Sequence, residues 1–202
     1  MSKKSTSPGR KLSRKELRRQ QLEREKRMKV MRLWVPIGVL VVALAAFVLY
    51  RLLEPEVVGA VFVESAIANQ HDSNLQYNFG GLPPTGGPHN PTWQNCGIYA
   101  EPVQPEYAIH SMEHGAVWLT YHPDLAADQV ATLQDLAQGQ SYLILSPYPD
   151  QSSDIVLTAW DVQLELESAA DERIQEFITK YRGSRGPEPG APCSGGVGTP
   201  PG

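Results

Sequence analysis

Cysteine and histidine are scarce in this 202-residue chain, which has two cysteines and five histidines. The cysteines, Cys96 and Cys193, are too far apart to form a CxxC motif, and this excludes a thioredoxin-like redox motif. The sequence also contains no glycine-rich phosphate loop and no nucleophile elbow. These absences argue against a P-loop nucleotide enzyme and against an α/β-hydrolase.

Basic residues are almost missing from residues 54–202, where four Lys or Arg stand against nineteen Asp or Glu. A field of this sign attracts cations and opposes binding to nucleic acid. Residues 1–32 have the opposite composition, with thirteen Lys or Arg and three Glu. The net charge of -4 therefore covers two unlike parts, a basic N-terminal tail and an acidic domain.

Charged residues are absent from the run between Arg32 and Arg51, which is eighteen residues long. Eighteen helical residues reach about 27 Å, close to the roughly 30 Å hydrocarbon core of a bilayer. We therefore predict a transmembrane helix over residues 33–53, continuous with a charged helix in the preceding tail.

The basic flank sets the predicted orientation, because Lys and Arg beside a span stay on the cytoplasmic side. We expect a single-pass protein of the cell membrane, with tail 1–32 in the cytoplasm and domain 54–185 on the extracytoplasmic side. A cleaved signal peptide is the competing interpretation. Its basic region would be unusually long, however, and no small-residue cleavage site follows the run.

Four segments of the domain have the composition of β-strands, being rich in β-branched and aromatic residues or alternating in polarity. They are residues 57–63, GAVWLTY at 115–121, SYLILSPY at 141–148 and DIVLTAWDVQLELE at 154–167. Each segment predicts one strand, and together they predict a single small sheet.

Two amphipathic helices are predicted after the second and the last of these strands. The first runs from Pro123 to Gly139 and the second from near Ala170 to Gly183. This order predicts an α+β fold with two helices packed on one side of the sheet, preceded by one transmembrane helix. Residues 186–202 are a Pro/Gly-rich tail.

One stretch, residues 83–121, concentrates the metal-ligating side chains of the domain. It contains His89, His110, His114, Glu113, Met112 and Cys96. Residues 83–91 hold four prolines and two glycines, which predict a rigid loop that fixes where His89 points. His71 lies upstream of this loop, and His122 is interpreted as a surface residue.

The pentad from His110 to His114 offers different ligands in different backbone geometries. On a helix, His110, Glu113 and His114 share a face, in the inverted zinc-protease pattern with Glu as general base. On a strand, His110, Met112 and His114 share a face, a soft set suited to copper. Two prolines shortly before the pentad and a strand after it favour an extended or turn conformation. A third alternative is that the histidines only pack and form hydrogen bonds.

The two cysteines have two interpretations. A disulfide between Cys96 and Cys193 would tie the C-terminal tail to the domain, as expected in an oxidising compartment. In the alternative, Cys96 is a thiolate metal ligand near His89.

Three motifs make the chain similar to a bacterial family, the domain of unknown function 3105. The family signature has a PPTSGPH loop, a GIY element and an HSLEHG segment. These motifs stand here as PPTGGPH at 83–89, CGIY at 96–99 and HSMEHG at 110–115. The resemblance extends over roughly residues 60–185.

The resemblance implies which residues occupy family motif positions. They are His71, His89, His110, Glu113 and His114. The chain departs from the signature at Gly86, where Ser is usual, and at Met112, where Leu is common. These departures put in doubt a hydroxyl role at position 86 and any mechanism that needs a thioether.

We predict a membrane-anchored extracytoplasmic metal-binding protein rather than an enzyme. The candidate ligands are His89, His110, His114, Glu113 and His71, with Glu113 either a ligand or a partner that orients an imidazole. Copper is the preferred metal and zinc the second choice, because imidazoles without a carboxylate-rich set suit copper in an oxidising exterior. The alternatives are a zinc-dependent hydrolase with Glu113 as general base, and a cell-envelope interaction module with structural histidines. Membrane and metal ion are the expected partners, together with an unidentified envelope protein.

Overall fold

The computed structural model describes residues 14–52, 56–63 and 70–200. The chain divides into two compact units, Met1–Pro55 and Glu56–Gly202. The first thirteen residues of the basic tail and the last residue of the segment 33–53 lie outside the described residues.

The described part of the first unit is one helix, α1 (Arg14–Leu52). Its N-terminal half carries most of its basic residues, and its C-terminal half contains the uncharged run, which ends before Arg51. By length and composition α1 could cross a membrane, and none of its apolar window is buried. The predicted charged helix that continues into an apolar helix is therefore confirmed, and α1 is a candidate membrane span.

The second unit contains six strands and three helices among its described residues. They are β1 (Val61–Phe62), β2 (Gly97–Ile98), α2 (Pro105–Glu113), β3 (Val117–Tyr121), α3 (Ala127–Ala137), β4 (Leu143–Pro147), β5 (Ile155–Ala159), β6 (Val162–Leu166) and α4 (Arg173–Tyr181). The strands form one sheet in the order β1-β6-β5-β3-β4-β2. The predicted α+β class with a single sheet is confirmed.

The centre of the sheet combines parallel and antiparallel pairs. β3 runs parallel to β4, with Val117 opposite Leu143, and antiparallel to β5. Parallel neighbours need a connection that returns along the sheet, and α3 supplies it between β3 and β4. The edges are formed by the two-residue strands β1 and β2.

Alternate residues of β3 face two cores on opposite sides of the sheet. Val117 and Leu119 belong to the larger core, which includes side chains of α3 and α4. Trp118 belongs to a second core, which includes Ile109 and Met112 of α2. The prediction that two amphipathic helices pack on one side is confirmed. The third helix, α2, was not predicted, and it covers the other side.

The segment 154–167 contains two strands rather than the one predicted. β5 and β6 pair antiparallel with Ala159 opposite Val162, so Trp160 and Asp161 form a two-residue turn. Asp161 has a φ of 59°, a left-handed conformation that aspartate tolerates better than most residues. The single-strand prediction is wrong because no glycine or proline marks this turn in the sequence.

The first predicted strand, at residues 57–63, is much shorter than expected. Residues 57–60 form a turn in which the amide of Ala60 donates to the carbonyl of Val57 at 3.0 Å. Only Val61 and Phe62 pair with the neighbouring strand β6.

Candidate metal centre

Helix α2 carries His110 and Glu113, and its ends explain why the sequence forms a helix here. Pro105 stands at the start of α2, where proline lacks only an amide hydrogen that would have no partner inside the helix. Gly115 follows the helix with a φ of 98°, and its amide donates to the carbonyl of Met112 at 2.9 Å. The prediction of an extended or turn pentad is wrong, because the proline taken as a helix breaker is the first residue of the helix.

The helical geometry selects the ligand set. Residues three and four apart lie on one face of a helix, so His110, Glu113 and His114 point the same way. Met112 points away from them, is fully buried and belongs to the core with Trp118. The His/Met set expected from a strand is therefore absent from this part of the structure.

The loop at residues 83–91 delivers His89 to the face of α2. A short parallel bridge joins it to the segment of His71: the amide of His89 donates to the carbonyl of Gln70 at 2.9 Å. The amide of Asp72 donates in turn to the carbonyl of His89 at 2.8 Å. These backbone bonds place His71 and His89 side by side, with ring centroids 4.8 Å apart.

Four side chains converge into one cluster. The ligand atoms of His71, His89, His110 and Glu113 all lie within 4.8 Å of one another, and the group could hold a metal ion. Oε2 of Glu113 lies 3.0 Å from Nε2 of His89 and 3.4 Å from Nε2 of His71. His89 and Glu113 are buried at 0% and 1% exposure, whereas the side chain of His71 is 41% exposed. The cluster is thus buried on most sides and reaches solvent at His71.

The fifth predicted ligand, His114, lies beside this group rather than within it. Its Nε2 is 3.1 Å from Nε2 of His110, and the two rings meet edge to face. Its ring also contacts Trp93, with ring centroids 5.1 Å apart. His110 therefore links His114 to the four-residue cluster.

Three of the imidazoles are fixed by backbone carbonyls at the same ring atom. Nδ1 of His89 donates to Gly87 at 2.8 Å, Nδ1 of His110 donates to Asn90 at 2.7 Å, and Nδ1 of His114 donates to Pro192 at 2.6 Å. A carbonyl oxygen only accepts, so each Nδ1 carries the proton. In the neutral ring, Nε2 then presents a lone pair.

These lone pairs point at other acceptors. Nε2 of His110 meets Nε2 of His114, and Nε2 of His89 meets the carboxylate of Glu113. Two acceptors at 3.0–3.1 Å repel each other unless a proton or a cation lies between them. A positive charge at the centre of the cluster would therefore stabilise this arrangement.

The electrostatics of His110 favour the neutral ring. Burial, together with the neighbouring His114 and His89, lowers the pKa of His110 to about 4, although the hydrogen bond to Asn90 and the charge of Glu113 oppose the shift. At neutral pH this ring is therefore neutral, with its single proton on Nδ1. Neutral imidazole is the form that ligates metal ions.

The C-terminal segment closes over the end of α2, although the sequence presents it as a Pro/Gly-rich tail. We call residues 186–198 the C-terminal strap. The amide of Glu188 donates to the carbonyl of Glu113 at 2.9 Å, and the amide of Gly190 donates to the carbonyl of His114 at 3.0 Å. A Cβ at Gly186 would overlap the carbonyls at the end of α2, so glycine permits this close approach.

The two cysteines join the strap to the body of the second unit. Cys96 and Cys193 lie at disulfide distance, with their Cα atoms 5.4 Å apart. The amide of Cys96 also donates to the carbonyl of Cys193 at 2.8 Å. The sulfur of Cys96 lies against Cys193, which favours a disulfide over the alternative in which Cys96 ligates a metal near His89.

Sequence reasoning named every side chain of the cluster but missed what orients them. The acceptors are the carbonyls of Gly87, Asn90 and Pro192, and backbone atoms leave no signal in a sequence. Trp93 was also missed, although its position between the loop and the pentad placed it near the cluster. His122 has a partly exposed side chain and lies outside the four-residue group, in agreement with its interpretation as a surface residue.

One family model matches the chain. It is described as Protein of unknown function (DUF3105), and it covers residues 69–195, which include the histidine cluster and both cysteines. No curated protein and no solved structure matches the chain.

Proposed function

The chain belongs to the DUF3105 family, and we propose that it is a single-pass membrane protein whose second unit binds a transition-metal ion outside the cytoplasm. The basic residues before the apolar run of α1 support a cytoplasmic N-terminus. The cysteine pair supports an oxidising compartment for the second unit, and a disulfide between Cys96 and Cys193 is part of the proposal.

One observation carries the metal-binding proposal. Three imidazoles donate Nδ1 to backbone carbonyls and turn Nε2 toward each other and toward a buried carboxylate. Metal-ligating histidines are commonly fixed in this way, because a hydrogen bond at one nitrogen sets the tautomer and orients the other nitrogen. Histidines that only pack in a core have no reason to turn their Nε2 atoms toward one another.

The proposed ligands are His71, His89, His110 and Glu113. A tetrahedral ion with bonds of about 2.0–2.1 Å has ligands separated by roughly 3.3 Å. The contacts of Glu113 with His89 and His71, at 3.0 Å and 3.4 Å, are close to this value. The other separations within the group are at most 4.8 Å, so side-chain movements of up to about 1.5 Å would bring all four ligand atoms onto one ion.

The donor set now favours zinc over copper. Copper was preferred because imidazoles without a carboxylate-rich set suit it in an oxidising exterior, but the cluster includes the carboxylate of Glu113. Met112, whose thioether would have joined the imidazoles on a strand, is buried in the core. Imidazole nitrogens with one carboxylate suit Zn²⁺, and Cu²⁺ shares the preference for imidazole. We propose Zn²⁺ as the first choice and Cu²⁺ as the second.

A zinc-dependent hydrolase is the second candidate, and the helical pentad is the observation that favours it. The HxxEH pattern has catalytic meaning only on a helix, where Glu is the general base. Here Glu113 lies 3.0 Å from a candidate ligand, His89, and is among the ligand atoms of the cluster. A Glu113→Gln variant separates the candidates: a base would leave metal affinity intact, whereas a ligand would lose affinity.

The test is elemental analysis of the full chain, purified in detergent, after challenge with Zn²⁺ or Cu²⁺ and removal of excess metal. We expect about one ion per chain, and loss of that ion in a His89→Gln/His110→Gln variant whose near-ultraviolet spectrum stays native. His122→Gln is the matched control, because this histidine lies outside the cluster, and it should retain the ion. Stoichiometric metal in the cluster variant, or none in the wild type, would refute the proposal.

A further inference from the structure

The C-terminal strap holds two aromatic rings that lie beside the cluster, those of His114 and Trp93. The carbonyl of Pro192 accepts from Nδ1 of His114 at 2.6 Å, a bond between residues 78 positions apart. The carbonyl of Ser194 accepts from the indole of Trp93, and the amide of Val197 donates to the carbonyl of Trp93 at 2.9 Å. The orientation of His114 therefore depends on a segment that comes from the far end of the chain.

The cysteine pair lies beside these contacts. Cys193 follows Pro192 directly, so the covalent anchor of the strap is one residue from the carbonyl that fixes His114. The next residue, Ser194, contacts Trp93, whose ring packs against both His110 and His114. Opening the pair would leave the strap held at this point only by hydrogen bonds, among them those from the side chains of His114 and Trp93.

We infer that the strap is a positioning element of the metal centre: it holds His114 as an additional ligand of the ion, and opening the Cys96–Cys193 pair weakens metal binding. This inference rests on the proposed metal-binding function. His114 is suited to the role because its Nε2 lies 3.1 Å from Nε2 of His110, close to the separation of two ligands on one ion. The affinity of the site would then depend on the redox state of two cysteines that do not touch the ion.

The chemistry of opening is ordinary thiol–disulfide exchange. One thiolate of a dithiol reductant attacks a sulfur of the pair and forms a mixed disulfide, and its second thiolate displaces the cysteine. The reductant leaves as a disulfide, and both cysteines leave as thiols after taking up two protons. The strap keeps its hydrogen bonds at Glu188 and Gly190, so affinity should fall rather than disappear.

The test compares Zn²⁺ affinities of the full chain in detergent, measured by competition with a chromophoric chelator. We expect Cys96→Ser/Cys193→Ser to bind Zn²⁺ roughly tenfold or more weakly, the range typical for loss of a group that orients a ligand. Serine is used because a free thiolate would itself ligate zinc. Ser194→Ala, which changes an exposed side chain of the strap and leaves the pair intact, is the control.

A second variant shows whether the effect passes through His114. His114→Gln should weaken binding by itself, and in this background removal of the cysteines should cause no further loss. The visible spectrum of bound Co²⁺, which reports coordination, should change in the same way in both variants. Additive losses, or a spectrum unchanged by removal of the cysteines, would overturn the inference.

The outcomes separate this inference from the proposed function. If the wild type binds no metal, the proposed function fails and the inference fails with it. If the wild type binds metal and the serine variant binds it equally well, only the inference fails. If the serine variant does not fold, the comparison can be made on the native sequence. Wild-type protein is then measured before and after its cysteines are reduced and alkylated.

Discussion

Loss of the Cys96–Cys193 pair should destabilise the second unit strongly, even without metal. The pair closes a loop with a sequence separation of 97 residues. In the chain-entropy model, a link that closes a loop of this length lowers the conformational entropy of the unfolded chain. This stabilises the folded state by about 4.7 kcal/mol at 25 °C. This is an upper figure, because an unfolded chain with residual structure gains less freedom when the link is removed.

The size of the second unit converts this figure into a melting temperature. At about 2–4 °C per kcal/mol, a loss of this size lowers Tm by roughly 9–19 °C. The assay is near-ultraviolet circular dichroism of the full chain in detergent with a metal chelator present. Three of the four tryptophans, Trp93, Trp118 and Trp160, lie in the second unit and report its unfolding.

The comparison is between wild type, Cys96→Ser/Cys193→Ser and the control Ser194→Ala. The serine pair variant should melt lower, and the control should melt with the wild type, because it leaves the link intact. A fall in Tm of less than about 3 °C for the pair variant would refute the reasoning. It would mean that the link contributes about 1 kcal/mol or less to the free energy of unfolding.

Two further predictions concern single residues. Met112→Ala should destabilise the unit by about 2–5 kcal/mol in chemical unfolding, because the side chain is fully buried. Its metal stoichiometry should stay unchanged. Loss of the ion from a folded variant would show instead that the thioether is a ligand. Asp171→Asn should lower Tm at neutral pH, because hydrogen bonds from Arg173 hold the pKa of Asp171 at about 2. The contribution of this carboxylate is complete above its unfolded pKa of about 3.9 and is lost as pH falls through about 2, so the Tm values of variant and wild type should converge there. A Tm difference that persists in acid would contradict this.

The sequence was sufficient for the fold class because the central elements carry strong local patterns. GAVWLTY became β3, and the two amphipathic helices became α3 and α4 on one side of the sheet. The wrong predictions have local causes. Pro105 starts a helix but was taken to prevent one, and the Trp160–Asp161 turn lacks the residues that usually mark turns. In both cases tertiary contacts decide a conformation that local sequence leaves ambiguous.

The residues of the candidate site could be predicted from the sequence, but the geometry of the site could not. Histidine and glutamate are rare enough in the motif stretch to be named from the sequence, and four of the five named side chains form the cluster. The helical face that unites His110 with Glu113 depends on the missed helix α2. The role of the strap could not be foreseen, because it acts through the carbonyl of Pro192, and the Pro/Gly composition of this segment resembles that of a disordered tail.

The cluster places ionisable groups where the fold alone would not favour them. A carboxylate buried as deeply as Glu113 loses its hydration, and it destabilises a domain unless a charge or hydrogen bond compensates. One proton between His89 and Glu113 would relieve that contact but would leave the lone pairs of His110 and His114 opposed. A divalent ion held by the cluster would relieve the contact of His89 with Glu113, and with His114 as an additional ligand, as inferred above, it would also relieve the contact of His110 with His114. The loop at residues 83–91, α2 and the strap hold these groups together in the absence of an ion, so under the proposed function much of the ordering that binding would require is already present. The exposed edge of His71 would then be the place where an ion enters.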